Sequence, residues 1–170
     1  MRQIRKELGK LIAHAKAHGI SVFFHDGKDG GGWTLDGKQI YIHTKRPLEQ
    51  YLVLLHEISH HRQFIKDGMK VPFHIEKAYN KEFNLKADKI LDKKYRKIIY
   101  EAEKRDSRHQ LDIHYETRST IPVYLIKKEI ELDLWIYKVY YKTGSFPSTK
   151  ERKEMRKSLT KKWKPDKINR

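Results

Sequence analysis

Apolar residues recur along most of this chain at the three-and-four spacing of amphipathic helices, and strand-like runs are confined to its first quarter. Ile4, Leu8, Leu11, Ile12 and Ala15 fall on one helical face, which predicts a helix over 4–18 with Gly19 as its stop. Ile20 to His25 has strand composition. Asp26 to Gly32, with three consecutive glycines, reads as a turning loop. Trp33-Thr34-Leu35 and Gln39-Ile40-Tyr41-Ile42-His43 flank Asp36-Gly37, the signature of a β-hairpin.

A stronger helical segment follows from Pro47 to Lys66. Proline suits a first helical turn, the run Tyr51 to Leu55 is almost wholly apolar, and Gly68 lies just past the end. Ile75 to Arg105 is heavily charged yet keeps a stripe of Tyr79, Phe83, Ala87, Ile90, Leu91, Ile98 and Ala102, which predicts mostly helix. Asp106 to Thr120 is a polar stretch. Ile121-Pro122 then opens a helix running through Val123, Leu125, Ile126, Ile130, Leu134, Ile136 and Val139 to Gly144. Ser145 to Ser148 is a linker, and Ser148 or Thr149 can cap a last, basic helix. The expected architecture is α+β, a small twisted sheet beside the Pro47 helix with a predominantly helical C-terminal half. The expected division is a domain over 1–144 and a basic extension over 145–170.

Composition narrows the class. Hydrophobic residues make up 38% and charged residues 35% of the 170 positions, and no apolar run approaches the length of a membrane span. The first residues lack the apolar stretch of a secretory signal. There is no cysteine, which excludes disulfides and thiolate metal sites and suits a reducing compartment; the cytoplasm is the expected location. The net charge of +16 favours nucleic acid or an acidic protein as a partner rather than a membrane. Residues 149–170 concentrate it, with ten Lys and Arg against three Asp and Glu. For that run a solvated lysine-rich tail or helix is the simpler explanation and docking of nucleic acid or an acidic protein the alternative; no zinc-finger, helix-turn-helix or RNA-binding signature accompanies it.

The chemistry sits in the Pro47 helix. His56-Glu57-Ile58-Ser59-His60 is an HExxH motif. Residues four apart share a helical face, so two imidazoles can aim at one metal ion while Glu57 offers a carboxylate to a water in the same cleft. A catalytic Zn2+ takes a third protein ligand and leaves one position open. Glu129 is the leading candidate, with Asp133 four residues on to accept a hydrogen bond from a ligating histidine. Both acids share a face with Ile126, Ile136 and Tyr140, where carboxylates need a reason to sit. Glu131 lies on another face and is explained by pairing with Lys127. His74 is the alternative third ligand, and Glu101 and Glu103 are further competitors on a charged helix where solvated carboxylates are the default. His61 points off the metal face. Tyr124, Tyr137, Tyr140 and His114 are candidates to stabilise an oxyanion.

HExxH followed by ExxxD resembles the gluzincin branch of the zincin metallopeptidases. The Gly-rich turn, the strand Gln39 to Ile42 and Leu54-Leu55-His56-Glu57-Ile58-Ser59-His60 also resemble small ImmA/IrrE-like domains, over roughly residues 20 to 142. That resemblance implies a zincin-like fold and hydrolysis of a protein or peptide substrate. His56, His60 and Glu129 would hold zinc, Glu57 would be the general base, and Asp133 would orient a histidine. Two other readings stand beside it. A SprT-like protease acting on nucleic-acid-bound proteins would use a later histidine such as His74. A non-catalytic zincin-fold binding protein would keep the metal without cleaving.

Overall fold

In the computed structural model, which describes residues 2–26, 30–86 and 89–163, ten elements follow one another. They are α1 (Arg2–Ala17), β1 (Ser21–Phe24), β2 (Gly31–Trp33), β3 (Gln39–Ile42), α2 (Pro47–Lys66), α3 (Phe73–Phe83), α4 (Lys93–Asp106), α5 (His109–Glu116), α6 (Val123–Thr143) and α7 (Thr149–Lys162). The class is α+β and mostly helical. No helix among the described residues is long and apolar enough to cross a membrane.

The chain divides into two compact units. Residues 1–71 and 106–122 form the first, and residues 72–105 and 123–170 the second. Within the second unit α7 packs on α6.

In the first unit the strands lie in the order β1-β3-β2, with β1 parallel and β2 antiparallel to β3. Ile40 and Ile42 alternate inward and are fully buried, and α2 lies against β2 and β3. Leu8, Leu11 and Ala15 of α1 and Tyr51, Leu54, Leu55 and Ile58 of α2 complete this core. Two glycines expected in a loop belong to β2 instead. A Cβ on Gly31 would stand 2.4 Å from Val53 Cγ1 and 2.9 Å from the Tyr41 carbonyl oxygen, so only hydrogen fits where β2 meets α2. Gly37 turns the hairpin at φ +76°.

The segment expected as a polar connection folds into α5. His114 on it is buried, and its Nδ1 meets the Tyr51 hydroxyl at 2.9 Å. Burial holds that imidazole below its ordinary pKa. A buried tyrosine–histidine pair is what turns this hydrophilic stretch inward.

In the second unit the long charged segment, expected to be mostly helix, supplies α3 and α4. Asn84 closes α3, and the Asp92 carboxylate accepts the Lys94 N–H at 2.9 Å at the start of α4. Ala78, Leu91 and Ile99 are buried together, with Tyr79, Ile98 and Tyr137 around them. Phe83 and Ile90, expected in that stripe, are instead 94% and 62% exposed, and Ala87 lies outside the described residues. Arg96 is buried and donates to the Leu91, Tyr140 and Tyr141 carbonyl oxygens at 2.8–3.0 Å, capping the end of α6 before Gly144. Ser148 caps α7 in a reciprocal box with Glu151.

Candidate metal centre

The apolar lead-in buries Tyr51, Leu54 and Leu55 and thereby fixes the rotation of α2, which places the next turn at the edge of the first unit's core. His56 and His60 project from that turn. Their Nε2 atoms lie 3.1 Å apart with the rings nearly perpendicular, at 86°. Two imidazole nitrogens each about 2.0–2.1 Å from one tetrahedral zinc stand about 3.3–3.4 Å apart, so the spacing suits a shared ion.

The outer nitrogens of both rings are engaged. Asp106, the last residue of α4, accepts from His60 Nδ1 at 2.8 Å, in surroundings where both side chains are largely buried. That bond puts the His60 proton on Nδ1 and leaves Nε2 with its lone pair toward His56. The Gln110 side-chain amide on α5 meets His56 Nδ1 at 3.2 Å. A glutamine amide can offer that nitrogen either an N–H or a carbonyl oxygen. Ser59, fully buried, turns its hydroxyl back onto the His56 carbonyl oxygen at 2.6 Å, which keeps the motif helix polar only where it carries chemistry. The Trp33 indole stacks on His60 at 6.2 Å between centroids and meets Phe64 edge-on.

Glu57 is 6% exposed and faces β2, since a Cβ on Gly31 would come within 3.2 Å of Glu57 Oε1. The general-base candidate therefore lies directly under an edge strand of the sheet.

The other residues singled out in the sequence have different partners. Glu129 pairs with Arg156 of α7 at 3.0 Å, so the carboxylate that looked out of place on an apolar face answers a cation of the helix packed against it. Glu131 accepts from Lys162 at 2.6 and 2.8 Å and from the Trp163 indole at 2.8 Å, rather than from Lys127. These donors hold its carboxyl below the usual range against the opposing effect of burial. The carboxylate at His60 Nδ1 is Asp106, and the group at His56 Nδ1 is the Gln110 amide. His74 is exposed on α3. His61 is buried beside Phe64, and burial holds it below its ordinary pKa. Among the oxyanion candidates, His114 is committed to Tyr51, and Tyr140 is buried with its hydroxyl pushed up to about 12 by burial and the Glu82 carboxylate.

Glu103 stands one turn before Asp106 on α4, so the two carboxylates share a face of that helix. It is 3% exposed, and its Oε1 accepts the Tyr79 hydroxyl at 2.7 Å. Sequence reasoning passed over Asp106 and Gln110, and the signal was available. Ile99, Ala102, Glu103 and Asp106 follow at helical spacing, placing two acids on an apolar stripe, the same criterion that had favoured Glu129 and Asp133.

No family model matches the chain, and no curated protein or solved structure shows significant similarity to it.

Proposed function

We propose that this chain is a zinc-dependent, zincin-like metallopeptidase in which His56, His60 and Glu103 hold the ion and Glu57 is the general base. The observation that carries this reading is the convergence of the His56 and His60 Nε2 atoms at 3.1 Å, with each ring fixed from behind by Gln110 or Asp106. Histidines placed for packing alone do not need both outer nitrogens tied and both inner nitrogens turned to one point. For the third ligand, Glu103 replaces Glu129. It is buried, it shares a helical face with the Asp106 that holds His60, and His56, His60 and Glu103 make up a group able to hold a metal ion. Two imidazoles and one carboxylate, with no thiolate, is a hydrolytic zinc set.

Bound there, a zinc ion supplies Lewis acidity toward a water and a scissile carbonyl. The chain's own residues do the rest. Asp106 keeps the His60 proton on Nδ1. Glu57, held against β2, takes a proton from the attacking water on a carboxylate oxygen and returns it to the leaving amine nitrogen. An extended peptide has a place to lie, because β2 is an edge strand among the described residues and Gly31 brings that edge over Glu57. A site that only binds has no use for a carboxylate at position 57, which favours hydrolysis over a purely regulatory role. The cysteine-free ligand set is compatible with a reducing compartment such as the cytoplasm.

Elemental analysis and a peptide-library cleavage assay test the reading together. The expected result is about one zinc per chain, lost in His56→Ala/His60→Ala, with cleavage that disappears in Glu57→Gln while zinc remains. Full zinc occupancy in the double histidine variant, or undiminished cleavage by Glu57→Gln, overturns it.

A further inference from the structure

The chain's positive charge is not spread evenly. The second unit holds 24 Lys and Arg against 12 Asp and Glu, and so carries +12 of the total +16. Its acids are largely committed to structure. Asp92 and Glu151 cap helices, Glu103 accepts from Tyr79, and Glu129 and Glu131 hold α7 to α6. That leaves the second unit with twice as many cations as acids to balance them.

On one face of this unit those cations alternate with tyrosines. Lys93, Lys97 and Tyr100 follow at i, i+4 and i+7 along α4 and so form one stripe. Tyr141 of α6 meets that stripe. Its ring is parallel to Tyr100 within 6°, and Lys93 Nζ lies 5.9 Å from its centroid. Lys138 and Lys142 flank Tyr141 on α6. All four lysines are exposed and have no ion-pair partner among the described residues, while both tyrosines are half-buried. The tyrosine centroids are 5.9 Å apart, wide for parallel rings in contact, so the rings are displaced sideways and each keeps part of a face uncovered.

We propose that this α4–α6 face binds single-stranded nucleic acid, with Lys93, Lys97, Lys138 and Lys142 against phosphates and Tyr100 and Tyr141 stacking on bases. Charge alone would fit any polyanion. Paired tyrosines set among unbalanced lysines are what single strands use and what a plain polyelectrolyte surface lacks. A membrane surface would instead ask for protruding apolar side chains beside the lysines. The proposal is independent of the metal centre.

The test is fluorescence anisotropy of labelled oligo(dT) and oligo(rU) with the full chain over a salt series, with duplex DNA and heparin as competitors. Single strands should bind more tightly than duplex. Tyr100→Leu/Tyr141→Leu should weaken single-strand binding by roughly tenfold to a hundredfold without changing the salt slope. Tyr100→Phe/Tyr141→Phe should bind like the parent, which separates lost stacking from lost folding. Replacing the four lysines with Gln should flatten the slope of log K against log salt by about 3, at roughly 0.7 per phosphate contact on a single strand. Binding unaffected by the leucine changes, or heparin and duplex bound as well as single strands, makes the face a general polyanion surface and overturns the proposal. So does absence of binding at low salt.

Discussion

Asp106 is the position at which the metal-centre reading is most exposed to experiment. Its carboxylate meets His60 Nδ1 at 2.8 Å, and side-chain exposures of 13% and 8% keep solvent from substituting for the bond. Asp106→Asn keeps the size and leaves an oxygen able to accept from Nδ1–H, but removes the charge that makes the ring a better ligand. Losing such a partner typically costs 10–100-fold in metal affinity, about 1.4–2.7 kcal/mol. Asp106→Ala removes the acceptor altogether, and a buried N–H left without a partner costs a further 1–3 kcal/mol or so in folding stability. The asparagine variant should therefore lose zinc affinity at nearly unchanged melting temperature in chelator, whereas the alanine variant should lose both.

Competitive titration against a chromophoric chelator measures the affinity, and thermal melts with and without zinc measure the stability. Trp33, stacked 6.2 Å from His60, supplies a second readout, since occupancy of the ring should change indole emission. Asp133→Asn is the comparison: with Asp106 at His60 Nδ1 and Gln110 at His56 Nδ1, the change at 133 should cost less zinc affinity than the change at 106. Parental zinc affinity in Asp106→Asn would refute the account of how His60 is held. A larger loss in Asp133→Asn than in Asp106→Asn would return the orienting role to α6.

Three further outcomes follow from the same geometry. Glu103→Gln should lose zinc, whereas Glu129→Gln should keep it and only loosen α7 by the small worth of a partly exposed ion pair, up to about 1 kcal/mol; chelator titration of both separates them. Gly31→Ala should destabilise by about 1–3 kcal/mol in urea denaturation, since its Cβ must displace Val53 and the Tyr41 backbone, and should impair any cleavage by crowding Glu57. Stability should fall as pH drops below about 6.5, because burial holds His61, His109 and His114 below their ordinary pKa, so the unfolded chain takes up protons the folded one refuses. Each group contributes at most about 1.4 kcal/mol per pH unit, between 6.5 and its depressed value. Melts from pH 8 to pH 5 in chelator check this, and a midpoint flat across that range would contradict the burial argument.

The parts of the molecule legible in sequence were those governed by local physics. Pro47 at a first turn and a dense apolar run determine where α2 begins, and the four-residue repeat then places His56 beside His60 whatever the rest of the chain does. Asp36-Gly37 set the hairpin turn, and Ser148 with Glu151 set the start of α7, each through one local hydrogen-bonding device. The third ligand was different in kind. An acid on an apolar helical face has two explanations, a metal or a cation on whatever packs there, and sequence does not say which helix will be the neighbour. For Glu129 the neighbour is α7, which brings Arg156, and the anomaly is spent on an ion pair. The same anomaly at Glu103 and Asp106 was hidden because charge covers the whole helix, nine of its fourteen residues being Lys, Arg, Asp or Glu. Counting charge along a segment averages over faces, whereas burial acts on one face at a time. The acids worth suspecting are those at i+4 and i+7 from buried residues such as Ile99, even when every residue between the two acids is a lysine or an arginine.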